Sequence, residues 1–233
     1  MPTIYTHIAA NKRRSWILMG MCIIILFGVG YLLDQVYGNG SWGWSIIAVI
    51  YATISGLIGY YRGDKIALWT SGAIAITKEQ NPYVIRMIEN LSITAGLPMP
   101  KVFIIPDDDI NAFATGRDPQ HASIAVTKGA IEKLENEELE GVLAHELSHI
   151  GNYDIRYMTL VIVVVGTIIV LSDMFWRLRI GRSSDRNNAG GALLIIGLVL
   201  LILAPLFAEM IKLAVSRKRE YLADASGALL TRY

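Results

Sequence analysis

The chain has 233 residues, 53% of them hydrophobic, and its mean hydropathy of +0.44 is too apolar for an ordinary soluble domain. A net charge of +1 gives no reason to expect nucleic acid as a partner. The single cysteine, Cys22, excludes a disulfide framework and a cysteine-rich metal site. These totals indicate an integral membrane protein that also carries a soluble portion.

Four apolar runs approach the roughly 20 residues that a helix needs to cross about 30 Å of hydrocarbon. They are Trp16–Leu33, Trp42–Tyr61, Met158–Trp176 and Ala192–Ala214. Tryptophan or tyrosine stands at several ends, as is typical of side chains at the headgroup level. We therefore expect four transmembrane helices in two hairpins. The first run is longer than the apolar part of a signal peptide and has no small-residue cleavage site, so we expect it to be retained.

Basic residues near the first two runs predict the orientation. Lys12–Arg14 precede the first run, Arg62 and Lys65 follow the second, and the turn between the runs has neither lysine nor arginine. The positive-inside rule then assigns the N-terminus and the soluble portion to the cytoplasm. Four arginines between residues 177 and 186 conflict with this scheme. Either the first hairpin dominates, or the last two runs are only partly immersed; we favour full spanning.

Residues 62–157 contain the signals of ordinary secondary structure. Asn81-Pro82 opens a helical stretch, and Gly96 ends it. A second helix is expected to start near Asn136 as its N-cap, with acidic residues in its first turns. Short β-rich pieces lie between the two helices. The predicted elements are helices Tyr83–Ala95 and Lys128–Leu134 and strands Lys101–Ile105, Ile110–Thr115 and Ala122–Val126. The pattern indicates an α+β domain with a small sheet.

The motif His145-Glu146-Leu147-Ser148-His149 lies on the helix that is expected to start near Asn136. Residues four apart share a helix face, so both histidines can present imidazole nitrogens to one metal ion. Glu146 lies beside them, where it can polarise a bound water and carry its proton. Zinc suits such a site. We expect Gly141–Ala144 to allow this helix to pack closely against a neighbour. The alternative is a surface helix whose histidines coincide by chance.

A third metal ligand has to come from elsewhere in the chain. Glu220 and Asp224 are four apart and share a helix face. Glu220 is the candidate third ligand, and Asp224 is the candidate partner of a ligand histidine's distal N–H. The alternative is a solvated helix beside the membrane in which Arg217–Arg219 bind lipid phosphates.

The chain resembles the HtpX-type membrane zinc metalloproteases, which are relatives of the CAAX prenyl proteases. The matching stretches are Ala95–Val102, Asn111–Arg117, Ala125–Thr127, Glu137–Asn152 and Arg219–Gly227. The resemblance implies a zincin-like peptidase domain in which His145, His149 and Glu220 bind one Zn²⁺. It also implies Glu146 as the general base and Asp224 as support for the ligands. The implied role is stress-linked quality control of membrane proteins in the bacterial inner membrane.

The segment Asn111-Ala112-Phe113-Ala114 reads as an edge strand near the active helix. Its backbone is predicted to pair with an extended substrate, as in strand addition. The alternative is that Phe113 belongs to the core and Asn111 to a turn. Arg217 and Tyr221 are the two candidate donors to a developing oxyanion, and the sequence does not decide between them.

The predicted layout has four parts. Residues 1–61 form a transmembrane hairpin, 62–157 a cytoplasmic peptidase domain, 158–214 a second transmembrane hairpin, and 215–233 the third-ligand helix. The family usually continues for several more elements, so we interpret the C-terminus as shortened. The expected activity is endoproteolysis of misfolded or damaged membrane-associated polypeptides, and the expected partners are these substrates and the lipid bilayer. A catalytically silent membrane scaffold is the alternative. The sequence predicts no oligomeric state.

Overall fold

The structure is a computed structural model that describes residues 4–37, 41–161, 165 and 217–231. The chain divides into two compact units. One comprises Met1–Ser15, Tyr60–Thr159 and Val215–Tyr233, and the other comprises Trp16–Gly59 and Leu160–Ala214.

Two long apolar helices, α1 (Ile4–Tyr37) and α2 (Gly43–Thr70), contain the first two predicted membrane runs except for Trp42, which precedes α2. Within the part of the chain that the structure describes, the stretches long and apolar enough to cross a membrane are Ala9–Gln35 and Gly43–Thr70, with mean hydropathies of 2.4 and 1.5. Both extend past the predicted runs. The third predicted run is described only at residues 158–161 and 165, and the fourth lies outside the described residues.

Asp34 marks the start of α2. Its carboxylate accepts hydrogen bonds from the backbone N–H groups of Trp44 and Ser45 and from the Ser45 hydroxyl. The first N–H groups of a helix have no partner within the helix, and the helix dipole favours an anion there. The buried Asp34 therefore has compensation for its charge, and it fixes where α2 begins.

The other unit contains a four-stranded mixed sheet and further helices. The sheet order is β1-β2-β4-β3, in which the β2–β4 pair is parallel and the other two pairs are antiparallel. A 3₁₀ turn, Pro119–His121, leads into β4. The strands are β1 (Ile74–Ala75), β2 (Lys101–Ile105), β3 (Ala112–Gly116) and β4 (Ala122–Thr127). The helices are α3 (Pro82–Ala95), α4 (Lys128–Lys133), α5 (Asn136–Gly151) and α6 (Arg217–Thr231), and residues 154–161 are also helical.

The sequence predicted the C-terminal end of α3 correctly and its start to within one residue, since α3 begins at Pro82 rather than Tyr83, but it missed the N-cap of α5. The Asn81 side chain accepts the N–H of Val84, and Gly96 ends α3 in the left-handed region at φ 64°. The N-cap of α5 is Glu135 rather than Asn136, because Glu135 and Glu138 form a reciprocal capping box. Asn136 is the first helical residue, and its side chain accepts the hydroxyl of Tyr83 on α3.

The core of this unit lies between the sheet and the helices α3 and α5. Each helix contributes one apolar face, and β4 is buried along its whole length. Each of these aliphatic side chains stabilises the fold by about 1.5–3 kcal/mol when fully buried. The central members are Val84, Ile88, Leu91, Ile124, Val126, Leu139, Leu143 and Leu147. Because the core fixes one face of α5, the face that carries the motif histidines also has a fixed direction.

Candidate metal centre

The two motif histidines lie one turn apart on α5, as the spacing predicted. Their Nε2 atoms are 3.2 Å apart, and the rings are nearly perpendicular at 85°. His149 is buried, whereas His145 is half-buried. The two nitrogens therefore point at one common position.

Glu220 on α6 reaches the same position. Its Oε2 lies 3.4 Å from Nε2 of His145 and 3.8 Å from Nε2 of His149. The three donor atoms all lie within 4.8 Å of one another. The structure thus brings together the three residues that the sequence singled out as metal ligands.

Close packing between α5 and α6 makes this convergence possible. A Cβ atom at Gly227 of α6 would lie 3.3 Å from the backbone N of His145 and 3.5 Å from the carbonyl carbon of Ala144. The expectation that Gly141 serves the close approach is wrong, since a Cβ there would meet nothing within 4 Å. Of the predicted stretch, Ala144 is the residue at the contact. The glycine that allows α5 and α6 to pack closely is therefore Gly227 on α6.

Each histidine also has a carboxylate on its far nitrogen. Asp224 Oδ1 lies 2.8 Å from Nδ1 of His145, the arrangement that the sequence predicted for Asp224. Asp154 Oδ2 lies 3.1 Å from Nδ1 of His149. Such partners hold a neutral imidazole with its proton on Nδ1 and leave Nε2 free to bind a metal. Asp154 was missed as a site residue. The sequence did contain a signal for Asp154, since it is a carboxylate only five residues after His149 and just before the apolar run that begins at Met158.

Asp154 is the centre of a buried polar cluster. Asn11 of α1 donates from Nδ2 to Asp154 Oδ1 at 2.7 Å and to the carbonyl of Asn152 at 3.1 Å. Arg219, adjacent to Glu220, brings Nε to 4.0 Å from the same carboxylate, and its guanidinium lies over the ring of Tyr157. Asp154 has no exposed surface. A buried carboxylate requires such donors, because an uncompensated charge in the interior is costly.

Glu146 on α5 lies close enough to His145, His149 and Glu220 for their charges to act on its carboxyl group. Its Oε2 accepts the backbone N–H of Ala114 on β3 at 2.8 Å. Burial raises the pKa of Glu146, and the neighbouring His149 and His145 and the Ala114 N–H oppose this without cancelling it. Burial alone would lower the pKa of His149, but its hydrogen bond to the Asp154 carboxylate and the nearby carboxylates outweigh burial and raise it.

The sequence of this chain matches that of a known protein family. The model of peptidase family M48 matches residues 78–232, which include both helices of the site. The chain belongs to peptidase family M48. The predicted resemblance to HtpX-type proteases is thereby confirmed, and with two apolar helices the chain is a membrane metalloprotease by family.

The M48 chain has curated relatives over nearly its whole length. A protein named "Protease HtpX homolog" from Dictyoglomus thermophilum is 43% identical over 235 residues, covering 99% of this chain and 76% of the relative. A protein of the same name from Thermoanaerobacter pseudethanolicus is 42% identical over 236 residues, covering 99% and 79%. The crystal structure of Ste24p from S. mikatae matches with a TM-score of 0.52 at 19% identity. That match covers 88% of this chain and about half of Ste24p (52%), and it concerns the fold alone.

The M48 family implies a metal, and the donor set of this site fits one. Zn–N and Zn–O bonds of about 2.0–2.2 Å in a tetrahedral arrangement put donor atoms roughly 3.3–3.5 Å apart. The three observed separations, 3.2, 3.4 and 3.8 Å, lie around this value. With both Nδ1 atoms facing carboxylates, the two Nε2 lone pairs point at each other. A cation between them removes that repulsion, and two imidazoles with one carboxylate suit zinc.

The predicted substrate segment lies at the sheet edge next to this centre. Asn111 precedes β3 and exchanges hydrogen bonds with Thr127, so its backbone faces inward. Ala112, Phe113 and Ala114 belong to β3, the edge strand. The half-buried Phe113 side chain packs against the cluster of Leu68, Ile105 and Ala125, as the core alternative expected. The backbone of β3 remains the part of this segment that faces the site, through Ala114.

Proposed function

We propose that this protein is a multi-pass zinc endopeptidase of the bacterial inner membrane that hydrolyses peptide bonds of misfolded or damaged membrane-associated proteins. The observation that carries the proposal is the meeting of His145, His149 and Glu220 at one point with Glu146 beside it. The site combines a metal-binding donor set with a carboxylate in position to act as a base.

The division of work in the reaction follows from these positions. His145, His149 and Glu220 would hold a zinc ion, which would supply the Lewis acidity that lowers the pKa of water and polarises a peptide carbonyl. Glu146 takes up the proton of the attacking water and later delivers it to the leaving amine. Burial raises the pKa of Glu146 and so makes its carboxylate a stronger base for accepting that proton. The Ala114 N–H holds Oε2 of Glu146 at 2.8 Å and so orients the carboxylate.

The substrate peptide is proposed to lie along the outer edge of β3. Residues in an antiparallel pair alternate in direction, and the Ala114 N–H points away from β4 toward Glu146. Ala112 therefore shares the outward side with Ala114. An extended peptide that pairs with the outward carbonyls of Ala112 and Ala114 would pass beside Glu146 with its backbone aligned. Pairing through the backbone requires no particular substrate sequence, as degradation of varied damaged proteins demands.

The membrane arrangement is also part of the proposal. We infer four transmembrane helices, with the third and fourth in residues 158–214, and an active site on the cytoplasmic side. The basic residues Lys12–Arg14, Arg62 and Lys65 beside two apolar helices support this orientation. The name of the curated relatives supports proteolysis. A catalytically silent scaffold is the weaker alternative, because a scaffold has no need of a converging donor set.

The test compares the purified full chain with its Glu146→Gln variant for zinc content and for cleavage of an unfolded reporter protein. We expect one zinc per chain in both proteins and a loss of cleavage of roughly 100-fold or more in the variant, since a positioned base contributes about 10²–10⁴. Glu137→Gln, on the exposed first turn of the same helix, is the matched control and should cleave normally. Zinc-loaded Glu146→Gln with normal cleavage would refute the role of Glu146. Absence of zinc from the native protein would favour the scaffold.

A further inference from the structure

A solvent-open cleft of about 230 Å³ shares no lining residue with the metal centre. Four cationic side chains line it, and we call it the basic cleft: Arg62, Lys65, Lys101 and Arg117. Arg62 and Lys65 belong to α2, Lys101 opens β2, and Arg117 follows β3. Three segments that are distant in sequence thus direct positive charge into one concave surface.

Carboxylates balance only part of the charge of the basic cleft. Asp64 is the only acidic residue among those lining it, and Asp118 beside it pairs with Arg117 at 3.5 Å and with His121 at 2.6 Å. Within the described ranges of the chain, Arg62, Lys65 and Lys101 form no ion pair. Like charges gathered in a concave surface repel each other and create a positive potential there. An anion in the cleft would relieve this repulsion.

One wall of the basic cleft is held in place before any ligand arrives. Arg156 Nε donates to the carbonyl of Arg117 at 2.6 Å, and the Arg117 guanidinium lies over the ring of Tyr61 at 5.3 Å. Gly116, with φ 144°, allows the turn, since a Cβ there would lie 2.3 Å from the carbonyl oxygen of His121. Gln120 and Ser123 add neutral polar groups to the lining. A fixed guanidinium with polar neighbours matches the oxygens of a phosphate.

The position of the basic cleft along α2 indicates which kind of phosphate-bearing molecule could reach it. The apolar run Trp42–Tyr61 is about 30 Å long as a helix, which matches the hydrocarbon thickness. Tyr61 therefore marks the level of the headgroups, and Arg62 and Lys65 come directly after it. We propose that the basic cleft binds the phosphate headgroup of an anionic phospholipid. Basic pockets beside membrane helices have the chemistry for such lipids.

The experiment measures binding of phosphatidylglycerol to the detergent-solubilised full chain by native mass spectrometry, with phosphatidylcholine as the neutral reference. The Lys65→Gln/Lys101→Gln variant removes two charges from the cleft. The Lys78→Gln/Lys128→Gln variant removes the same charge from exposed positions outside it. We expect affinity for phosphatidylglycerol to fall roughly 25-fold in the cleft variant, about 5-fold per charge, and to stay near normal in the control. All four lysines are on the surface, so both variants should fold.

Three results would overturn the proposal. Equal losses in both double variants would mean general surface electrostatics. Equal binding of phosphatidylglycerol and phosphatidylcholine would mean that the cleft does not select an anion. Displacement of the lipid by inorganic phosphate at comparable concentration would identify a site for soluble phosphate instead. Selective binding of phosphatidylglycerol that only the cleft variant loses would support the lipid site.

Discussion

The two histidines of the metal centre are held in opposite surroundings. The side chain of His149 is 5% exposed and its carboxylate partner Asp154 is fully buried. The side chain of His145 is 25% exposed and its partner Asp224 is 66% exposed. The two histidine–carboxylate contacts, at 3.1 Å and 2.8 Å, are otherwise alike. Water therefore competes for one contact and is excluded from the other.

This difference indicates that the fold fixes one half of the site more firmly than the other. Hydrogen bonds and ion pairs weaken when solvent screens them and strengthen where water is excluded. On the His149 side, Asp154 also contacts Asn11 of α1 and Arg219 of α6, so three chain segments depend on it. On the His145 side, the geometry depends on how α6 packs against α5 at Gly227. Substituting one carboxylate partner at a time tests which half of the site the fold holds more firmly.

The largest effect is expected from Asp154→Asn. The change keeps the shape but removes the charge that holds His149 and compensates the buried Arg219. We expect zinc affinity to fall about 100-fold, the upper end for such partners of ligands. The melting temperature of the apo-protein should fall as well, because a buried cation then loses its carboxylate. Competition with a chromophoric chelator measures the affinity, and thermal unfolding in detergent measures the stability.

Asp108→Asn is the control for this substitution, since Asp108 is largely exposed and lies on a loop. The control should change neither zinc affinity nor melting temperature. Asp154→Glu should recover part of the affinity if the charge is what matters. Zinc affinity in Asp154→Asn equal to that of the native chain would contradict the view that the buried half sets the site.

The sequence was sufficient for the parts of the site that depend on local geometry. The four-residue spacing of His145 and His149 predicts a shared helix face, and the same spacing links Glu220 and Asp224. The β-rich run Lys101–Ile105 is a strand with the predicted ends. In each case, neighbouring residues along the chain contain the information.

The parts that the sequence could not predict depend on contacts between distant segments. Asp154 is significant because Asn11, 143 residues earlier, donates to it. Gly227 is significant because α5 passes within contact distance, which no pattern around Gly227 indicates. The cap at Glu135 was missed because asparagine is the commoner N-cap, whereas here a reciprocal bond with Glu138 decides. Tertiary contacts select among locally equivalent possibilities.

A smaller effect is expected from Asp224→Asn. Asn can still accept the Nδ1–H of His145, and solvent already screens the carboxylate, so the loss is limited to its charge. We expect zinc affinity to fall about 10-fold, the lower end for such partners, with the melting temperature nearly unchanged. Competition with the chromophoric chelator measures the zinc affinity, and thermal unfolding measures the melting temperature. A loss as large as that of Asp154→Asn would mean that burial does not distinguish the two halves.

The smallest effect on zinc affinity is expected from Asn11→Ala, which reaches the metal centre only through Asp154. The change removes the donor to Asp154 Oδ1 and to the Asn152 carbonyl, both of which are buried. Leaving such acceptors without a donor costs about 1–3 kcal/mol of folding stability, so the melting temperature should fall. His149 keeps its direct contact with Asp154, so zinc affinity should fall only a few-fold.

Asn90→Ala, at an exposed position on α3, is the control and should alter neither melting temperature nor zinc affinity. If Asn11→Ala leaves both melting temperature and zinc affinity at native values, α1 does not stabilise the buried half. If the melting temperature falls clearly while zinc affinity falls only slightly, α1 supports His149 indirectly, because Asn11 binds Asp154 and Asp154 binds His149.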